Sequence, residues 1–389
     1  MRWDSSRFNR PVLTKLVGKL PRRVQRETYL VGGAVRDLIL KRAVVDFDIV
    51  TNCPPGRFIS RMARALHSQA TTYPEFFTAS LVNSDEERFD FSQMRREVYP
   101  KPAALPLVHP SNMLWDLFRR DFTVNAMAVN LGPPDRGRLF DPFGGLADLL
   151  ARRIRVMHDS SFIDDPTRIF RAVRYACRLG FKIEPETKSL IKQAVGRRYH
   201  HLLSGERIKH ELELVLREPT WRRILGELHR LRLFSAPDRI MRSLAKVRDD
   251  KLLYLIAMTR SPLLKKCPLS RIDSAIVRGI RNLAKLQRSL AHRRNASQLY
   301  FALKPVRAEV TAILALLGPR SIRTRVCRFK KIEKTVPLLT GRDLIMLGVK
   351  PGKAYQQILR HVLSLQLDGR ISSRSAAKKI AKTYLCPSS

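Results

Sequence analysis

Short runs of alternating apolar and polar residues predict strands in the first part of the chain, at Tyr29 to Val31, Val44 to Val50, Thr78 to Val82, Arg88 to Phe91 and Arg153 to Val156. Helical stretches and Gly/Pro turns separate them, so residues 29 to 157 read as α+β, a mixed sheet with flanking helices. From Pro166 onward strand signals nearly vanish. Ile169, Ala172, Val173, Ala176 and Cys177 recur at the spacing of one helical stripe. Helical periodicity continues through Glu206 to Leu216, Trp221 to Leu231, Leu252 to Met258, Val306 to Leu317 and Ala354 to Gln366. The expected fold is an α+β unit followed by all-α regions.

Charge sharpens this division. The 389 residues carry 74 Lys+Arg against 34 Asp+Glu, a formal net charge of +40. A compact chain so charged repels itself unless it works beside a polyanion, which makes nucleic acid the leading partner. Residues 251 to 389 hold 29 of the basic residues and 5 of the acidic ones. A unit that grips a phosphate backbone can be this basic, whereas one that performs acid-dependent chemistry is closer to balance. The five cysteines are scattered without CxxC spacing, which suggests neither disulfides nor a cysteine zinc site and fits a reducing cytoplasm. The apolar runs are too short for a membrane helix, so no membrane partner is expected.

Candidate chemistry lies in four places. Leu30-Val31-Gly32-Gly33-Ala34-Val35-Arg36-Asp37 reads as a strand entering a glycine pair and then a helix. Gly33 lets backbone approach an anion that Arg36 can close upon, although a Gly-Gly turn is ordinary. In Val44-Val45-Asp46-Phe47-Asp48-Ile49-Val50 strand alternation puts Asp46 and Asp48 on one face. Two adjacent carboxylates repel, and Mg²⁺ between them or a solvated edge with salt bridges are equally good readings. Asp90 in Arg88-Phe89-Asp90-Phe91-Ser92 offers a third carboxylate, enough for a two-metal site with Asp46 and Asp48. Asp165-Pro166 reads as a helix N-terminus, and Arg168, Arg171 and Arg174 advance in threes, drifting about 60° per step. On its own that series is a basic polar face.

Taken together, Gly32-Gly33-Ala-Val-Arg36-Asp37, Asp46-x-Asp48, Arg119-Arg120-Asp121-Phe-Thr-Val-Asn125, Asp141-Pro-Phe-Gly-Gly145 and Asp164-Asp165-Pro-Thr-Arg168-x-x-Arg171-x-x-Arg174 resemble the class II tRNA nucleotidyltransferases. These are the CCA-adding enzymes and their bacterial poly(A) polymerase relatives. The five motifs cover residues 29 to 218. Leu339 to Leu344 with Leu347 to Gly352 is similar to the tail of the same enzymes. The basic residues 1–28 read as a solvated leader or first helix, and the resemblance implies a nucleotidyltransferase palm as head over 29–157 and a helical neck over 158–218. A helical body over 219–335 and a helical RNA-binding tail over 336–389 complete it.

By the same resemblance, Asp46 and Asp48 bind Mg²⁺ and Asp90 matches the third palm carboxylate. Gly33, Arg36 and Arg120 hold the triphosphate. Asp165, Arg168, Arg171 and Arg174 line the nucleotide pocket, Asp164 standing where the family usually has Glu. Cytosine and adenine each present an amino donor beside a ring acceptor, so Asp165 with Arg168 can accept from one and donate to the other. Uracil and guanine present the reverse polarity there, which selects C and A without a template.

The expected reaction is addition of C and A from CTP and ATP to the tRNA 3′ end. An A-only adder or a poly(A) polymerase shares the chemistry, and an RNA-binding protein with a relic head is the alternative from another class. The Pro-rich, basic Arg95 to His109 segment reads as a surface connection, and family members confined to C lack much of the corresponding flexible loop, so its presence favours A addition. Lys350 and Lys353 are expected RNA contacts. His200 and His201, with no suitably spaced Asp, read as exposed neck residues and not as a metal dyad.

Overall fold

The computed structural model describes residues 10–74, 77–259, 261–349 and 352–384. They form two compact units, Met1–Phe234 and Ser235–Ser389.

The first unit opens with α1 (Pro11–Gly18) and α2 (Arg22–Gln25). Then come β1 (Thr28–Val31), α3 (Gly33–Ile39), β2 (Asp46–Thr51), α4 (Ile59–Ala65), β3 (Ala70–Tyr73), β4 (Thr78–Val82) and β5 (Arg88–Gln93). Two further strands, β8 (Ala128–Asn130) and β9 (Leu139–Phe140), complete a seven-stranded sheet of order β3-β4-β5-β2-β1-β8-β9. Within it β2 and β5 run parallel and the other neighbours antiparallel. Strand alternation decides what β2 presents. Phe47 and Ile49 are buried while Asp46 and Asp48 are exposed. Phe47 stacks on its register partner Phe89 with ring centroids 5.2 Å apart. Val50, on the face of the two acids, packs with Val31, Met94, Met113 and Leu117, so α5 (Met113–Phe118) closes one end of that face.

The Arg95 to His109 segment departs from its expectation as an irregular surface connection. Its ends pair as the antiparallel hairpin β6 (Arg95–Val98) and β7 (Leu107–Pro110). The stretch between the strands is anchored where the Ala103 amide donates to Ile163 O at 3.0 Å. Three prolines inside it, Pro100, Pro102 and Pro106, masked the strand signal on either side.

After α6 (Gly145–Leu150) and β10 (Arg153–Ile154), α7 (Ser161–Asp164) leads through Asp165 and Pro166 into α8 (Thr167–Leu179). The stripe read from sequence faces inward: Ile169, Ala172, Val173, Ala176 and Cys177 are all buried. Gly180, at φ +73°, ends the helix in the left-handed conformation that glycine adopts without strain. β11 (Lys182–Ile183), α9 (Pro185–Gly196), α10 (Gly205–Arg217) and α11 (Trp221–Arg230) follow. His200 is 2% exposed and its ring lies 4.4 Å from that of half-buried His201, so the expectation of exposed histidines is corrected. Leu203, beside them, is also buried, so this turn faces the core.

The second unit is helical: α12 (Asp238–Leu244), α13 (Lys251–Met258), α14 (Pro262–Lys265), α15 (Arg271–Arg281), α16 (Leu283–Ala291), α17 (Ala296–Leu303), α18 (Ala308–Leu317), α19 (Arg320–Ile332), α20 (Gly341–Met346), α21 (Lys353–Leu367) and α22 (Arg374–Thr383). Leu299, Leu303, Leu314, Val326 and Phe329 form one core, and Leu339, Leu344, Ile358, Val362 and Ala377 another. Among the described residues no helix is long and apolar enough to cross a membrane. Lys350 lies outside the described residues, and Lys353 begins α21.

Candidate active site

A polar cleft of about 350 Å³ in the first unit is lined by Gly32, Gly33, Asp48, Arg120, Asp165, Arg168 and Arg171. All seven come from motifs singled out in the sequence, and they arrive from β2, α3, α8, the turns after β1 and α5, and the turn before α8.

At one end lies Asp48, opposite Asp90 in the parallel β2–β5 pair. The Asp48 carboxyl still reaches solvent, yet its sunken position holds its pKa above the usual carboxylate range. Arg120 opposes that shift, while Asp90 and Asp46 add repulsion. Asp90 is partly neutralised already, accepting from Ser80 Oγ at 2.5 Å and Arg88 Nε at 3.0 Å.

Gly32 stands over this end with φ +72°. A Cβ there would come within 2.6 Å of Arg120 Nη1 and 3.3 Å of Asp48 Oδ2, so backbone conformation and close approach both require glycine. Arg120 is oriented by Asp116 at 3.1 Å, and its buried Nε has no hydrogen-bond partner among the described residues. Asp116 is fully buried and also holds Arg119 at 2.9 Å. Burial would raise its pKa, but the two guanidiniums overcome this and lower it.

At the other end, Asp165 Oδ1 accepts from the Thr167 amide at 2.9 Å, from Thr167 Oγ1 at 2.6 Å and from Arg207 Nη2 at 2.6 Å. The expected N-cap shifts by one residue: Pro166, and not Asp165, is the residue flanking the helix, while Asp165 one position earlier accepts from the first helical amide. All three donors use one oxygen, leaving Oδ2 without a donor among the described residues. Arg168 is buried, donating to Ser161 Oγ at 2.5 Å and Arg119 O at 2.8 Å.

The solvated basic face is overturned for this helix. Arg168 and Arg174 are 4% and 6% exposed. Arg171 forms a two-point pair with Asp121 at 2.6 and 2.8 Å. Burial would lift the Asp121 pKa, yet Arg171 and the Asn125 amide bring it below the ordinary range.

Two expected triphosphate and pocket ligands lie behind the wall. Arg36 is 3% exposed and donates to Asn125 Oδ1 at 2.5 Å and to Asp37. Arg174 faces Glu218 at 3.6 Å and Glu211 at 4.0 Å. Tyr175, Glu97, Tyr99 and Arg207 were missed by the motif reading. Tyr175 follows Arg168 by two helical turns, a spacing that could have signalled a shared face.

Among the described residues no group of three or more His, Cys, Asp or Glu forms a metal cluster. Asp46 and Asp48 nevertheless fit Mg²⁺ chemically. They offer hard oxygens on one strand face, and the repulsion that Asp90 and Asp46 add to the burial of Asp48 is what a divalent cation would relieve.

Residues 28–155 match the family described as Poly A polymerase head domain, and residues 180–237 that described as "Probable RNA and SrmB- binding site of polymerase A". The A-adding tRNA nucleotidyltransferase of Geobacter sulfurreducens is 32% identical across 96% of this chain, which spans only 47% of that relative's length. The A-adding tRNA nucleotidyltransferase of Halalkalibacterium halodurans is 30% identical across 96% of this chain and 92% of its own. A solved complex of a CCA-adding enzyme with ATP superposes with a TM-score of 0.77 at 28% identity, covering 99% of this chain and 96% of that one. With its palm sheet, its cleft and a relative matched over nearly its whole length, the chain belongs to the tRNA nucleotidyltransferase and poly(A) polymerase family.

Proposed function

We propose that this protein adds nucleotides from CTP and ATP to the 3′ end of tRNA without a nucleic-acid template. The observation that carries the reading is a single cleft with Asp48 and Arg120 at one end and Asp165 and Arg168 at the other. Such a cleft can hold a triphosphate beside acids and a base beside a hydrogen-bonding pair. Asp46 and Asp48 would hold Mg²⁺. When bound, the ion supplies charge for the transferring phosphoryl group and acidifies the attacking hydroxyl.

In the transfer, the tRNA 3′ oxygen forms a bond to the α-phosphorus and pyrophosphate leaves with the electron pair of the broken bond. Arg120 has the unspent donor and the position to take a phosphate oxygen. Gly32 and Gly33 leave room for that oxygen, and Asp116 keeps the guanidinium aimed. Asp165 Oδ2 accepts from the exocyclic amine of cytosine or adenine. Arg168 donates to the adjacent ring nitrogen. A uracil or guanine leaves those groups unpaired, a penalty of roughly 1–3 kcal/mol for each. Arg36 and Arg174, set behind the cleft, position Asn125 and the α10 side of the pocket.

A-only addition is a second reading. It is favoured by the A-adding names of the two relatives and by the ordered Arg95 to Pro110 hairpin tied to Asp165 through Arg207.

The test is transfer by purified protein to tRNA lacking the whole CCA, lacking only the terminal A, or complete, with each NTP alone. Addition of C and then A to the shortest substrate is expected, whereas A addition to the second substrate alone would establish the narrower reading. Asp46→Ala or Asp48→Ala should abolish transfer while tRNA binding persists. Activity within tenfold of wild type in either variant overturns the metal assignment.

A further inference from the structure

We infer that Tyr175 is a positioning residue that fixes the base-reading face of α8 against the triphosphate end of the cleft. Three guanidiniums lie over this one ring. Arg174 stands 5.0 Å from its centroid, Arg36 5.2 Å and Arg171 5.6 Å, and Phe122 meets the ring edge-on at 6.0 Å. Arg36 comes from α3 beside the glycine turn, while Arg171 and Arg174 share α8 with Arg168. Tyr175 also follows Arg168 by seven positions, which puts the two on one helical face.

A polar circuit closes around the ring. Arg36 Nη1 donates to Asn125 Oδ1 at 2.5 Å, and Asn125 Nδ2 donates to Asp121 Oδ1 at 2.9 Å. Asp121 Oδ2 accepts from Arg171 at 2.6 and 2.8 Å, and Arg171 Nη2 reaches the Tyr175 hydroxyl at 3.4 Å. Asp121, Asn125, Arg171 and Tyr175 all line the cleft.

Three like charges in one place repel, and carboxylates answer them: Asp37 pairs with Arg36, Asp121 with Arg171, and Glu218 and Glu211 stand beside Arg174. The negative face of the aromatic ring is the neighbour that all three guanidiniums share. An aliphatic residue of similar size would fill the space but let the cations spread. The spacing between Arg120 and the Asp165–Arg168 pair would then no longer be held through Arg36 and α8. The Tyr175 hydroxyl is secondary, since its contact with Arg171 is the longest in the circuit.

This inference rests on the proposed nucleotide site and has its own readout. Tyr175→Phe retains the ring and should keep kcat/KM for CTP and ATP within about threefold of wild type. Tyr175→Leu should lower those values at least tenfold and contract the preference for CTP and ATP over UTP and GTP at least fivefold. Tyr175→Met serves if the leucine variant does not fold, as judged by thermal unfolding. Equilibrium binding of the four NTPs gives the same preference ratio without tRNA. A wild-type protein that binds NTPs selectively but extends no tRNA would thus defeat the proposed function and still test this role. An equal loss for all four nucleotides, or a leucine variant indistinguishable from the phenylalanine one, overturns the inference.

Discussion

Arg207 on α10 donates 2.6 Å to Asp165 Oδ1, and its other terminal nitrogen donates 2.8 Å to Ala103 O in the hairpin connection. One guanidinium thus joins the proposed base-reading carboxylate to the β6–β7 hairpin. Arg207→Ala should leave Asp165 held by Thr167 alone, with the hairpin connection still tied by the Ala103 amide to Ile163 O. A loss of about tenfold in kcat/KM for ATP, with the unfolding temperature changed little, is the expected result. Arg207→Lys should recover only part of the loss, because one ammonium replaces a fork that reaches two acceptors.

Gly32→Ala tests the crowded end of the cleft. At φ +72° and ψ −137° the backbone occupies a region essentially reserved for glycine, which costs another residue about 1–3 kcal/mol, and the new methyl would displace Arg120. NTP affinity should fall at least tenfold while the sheet persists by circular dichroism. Gly33→Ala is the control, since its nearest neighbour would be Arg36 Nη2 at 3.5 Å, and it should be much milder.

His158 yields a pH prediction. Burial, with Arg168 nearby and Asp159 opposing, depresses its pKa to about 4, and the ring stacks on Phe118 with centroids 5.2 Å apart. Asp164 stands 4.0 Å from Nε2. An unfolded histidine takes up its proton near pH 6.5 and the folded one only near pH 4. The unfolded state therefore binds more protons between these values, and this contribution to stability is lost as pH falls through that window. Two and a half pH units at about 1.4 kcal/mol each set an upper bound of about 3.5 kcal/mol, which solvent screening of the part-buried ring reduces. Urea unfolding of His158→Gln should show a flatter stability profile from pH 6.5 to 4 than wild type does.

The proposal that the basic second unit binds tRNA is tested on α19. Arg323 and Arg328 are exposed there, with Arg328 donating to Arg294 O at 3.0 Å and Arg325 to Arg293 O at 3.1 Å. Guanidiniums fixed by backbone carbonyls lose little freedom when they meet phosphate. Replacing Arg323 and Arg328 by Ala should weaken tRNA binding and flatten its dependence on log salt by roughly 0.7 to 0.9 for each phosphate left unneutralised. CTP and ATP affinity should stay unchanged, and an unaltered salt slope would place the RNA-binding surface elsewhere.

The parts of the site legible in the sequence are those carried by local periodicity. Period two set Asp46 and Asp48 opposite Phe47 and Ile49, and helical spacing put Ile169, Val173 and Ala176 in the core. Residues joined through space were not legible. Nothing near Asp165 announces Arg207, and nothing near Arg36 announces Asn125 or Tyr175. Burial was the commonest surprise. Arginine is expected in solvent, yet Arg36, Arg168 and Arg174 are enclosed: Asn125 and Glu218 come from distant segments to meet Arg36 and Arg174, while Asp37 adjoins Arg36 and Ser161 on the preceding helix meets Arg168. The β6–β7 hairpin escaped because prolines lie in its connection.

The parallel pairing of β2 with β5 also governs how the protein is made. Asp48 and Asp90 face each other only after the chain has passed through α4, β3 and β4 and returned, a closure whose entropic cost precedes any reward from the new contacts. The central strands therefore assemble late compared with any hairpin or helix around them. Asp46 and Asp48 share one strand whatever the state of the sheet, whereas Asp90 joins them only through the β2–β5 pairing, so it is the third carboxylate, and not the Mg²⁺ pair, whose place depends on completion of the sheet.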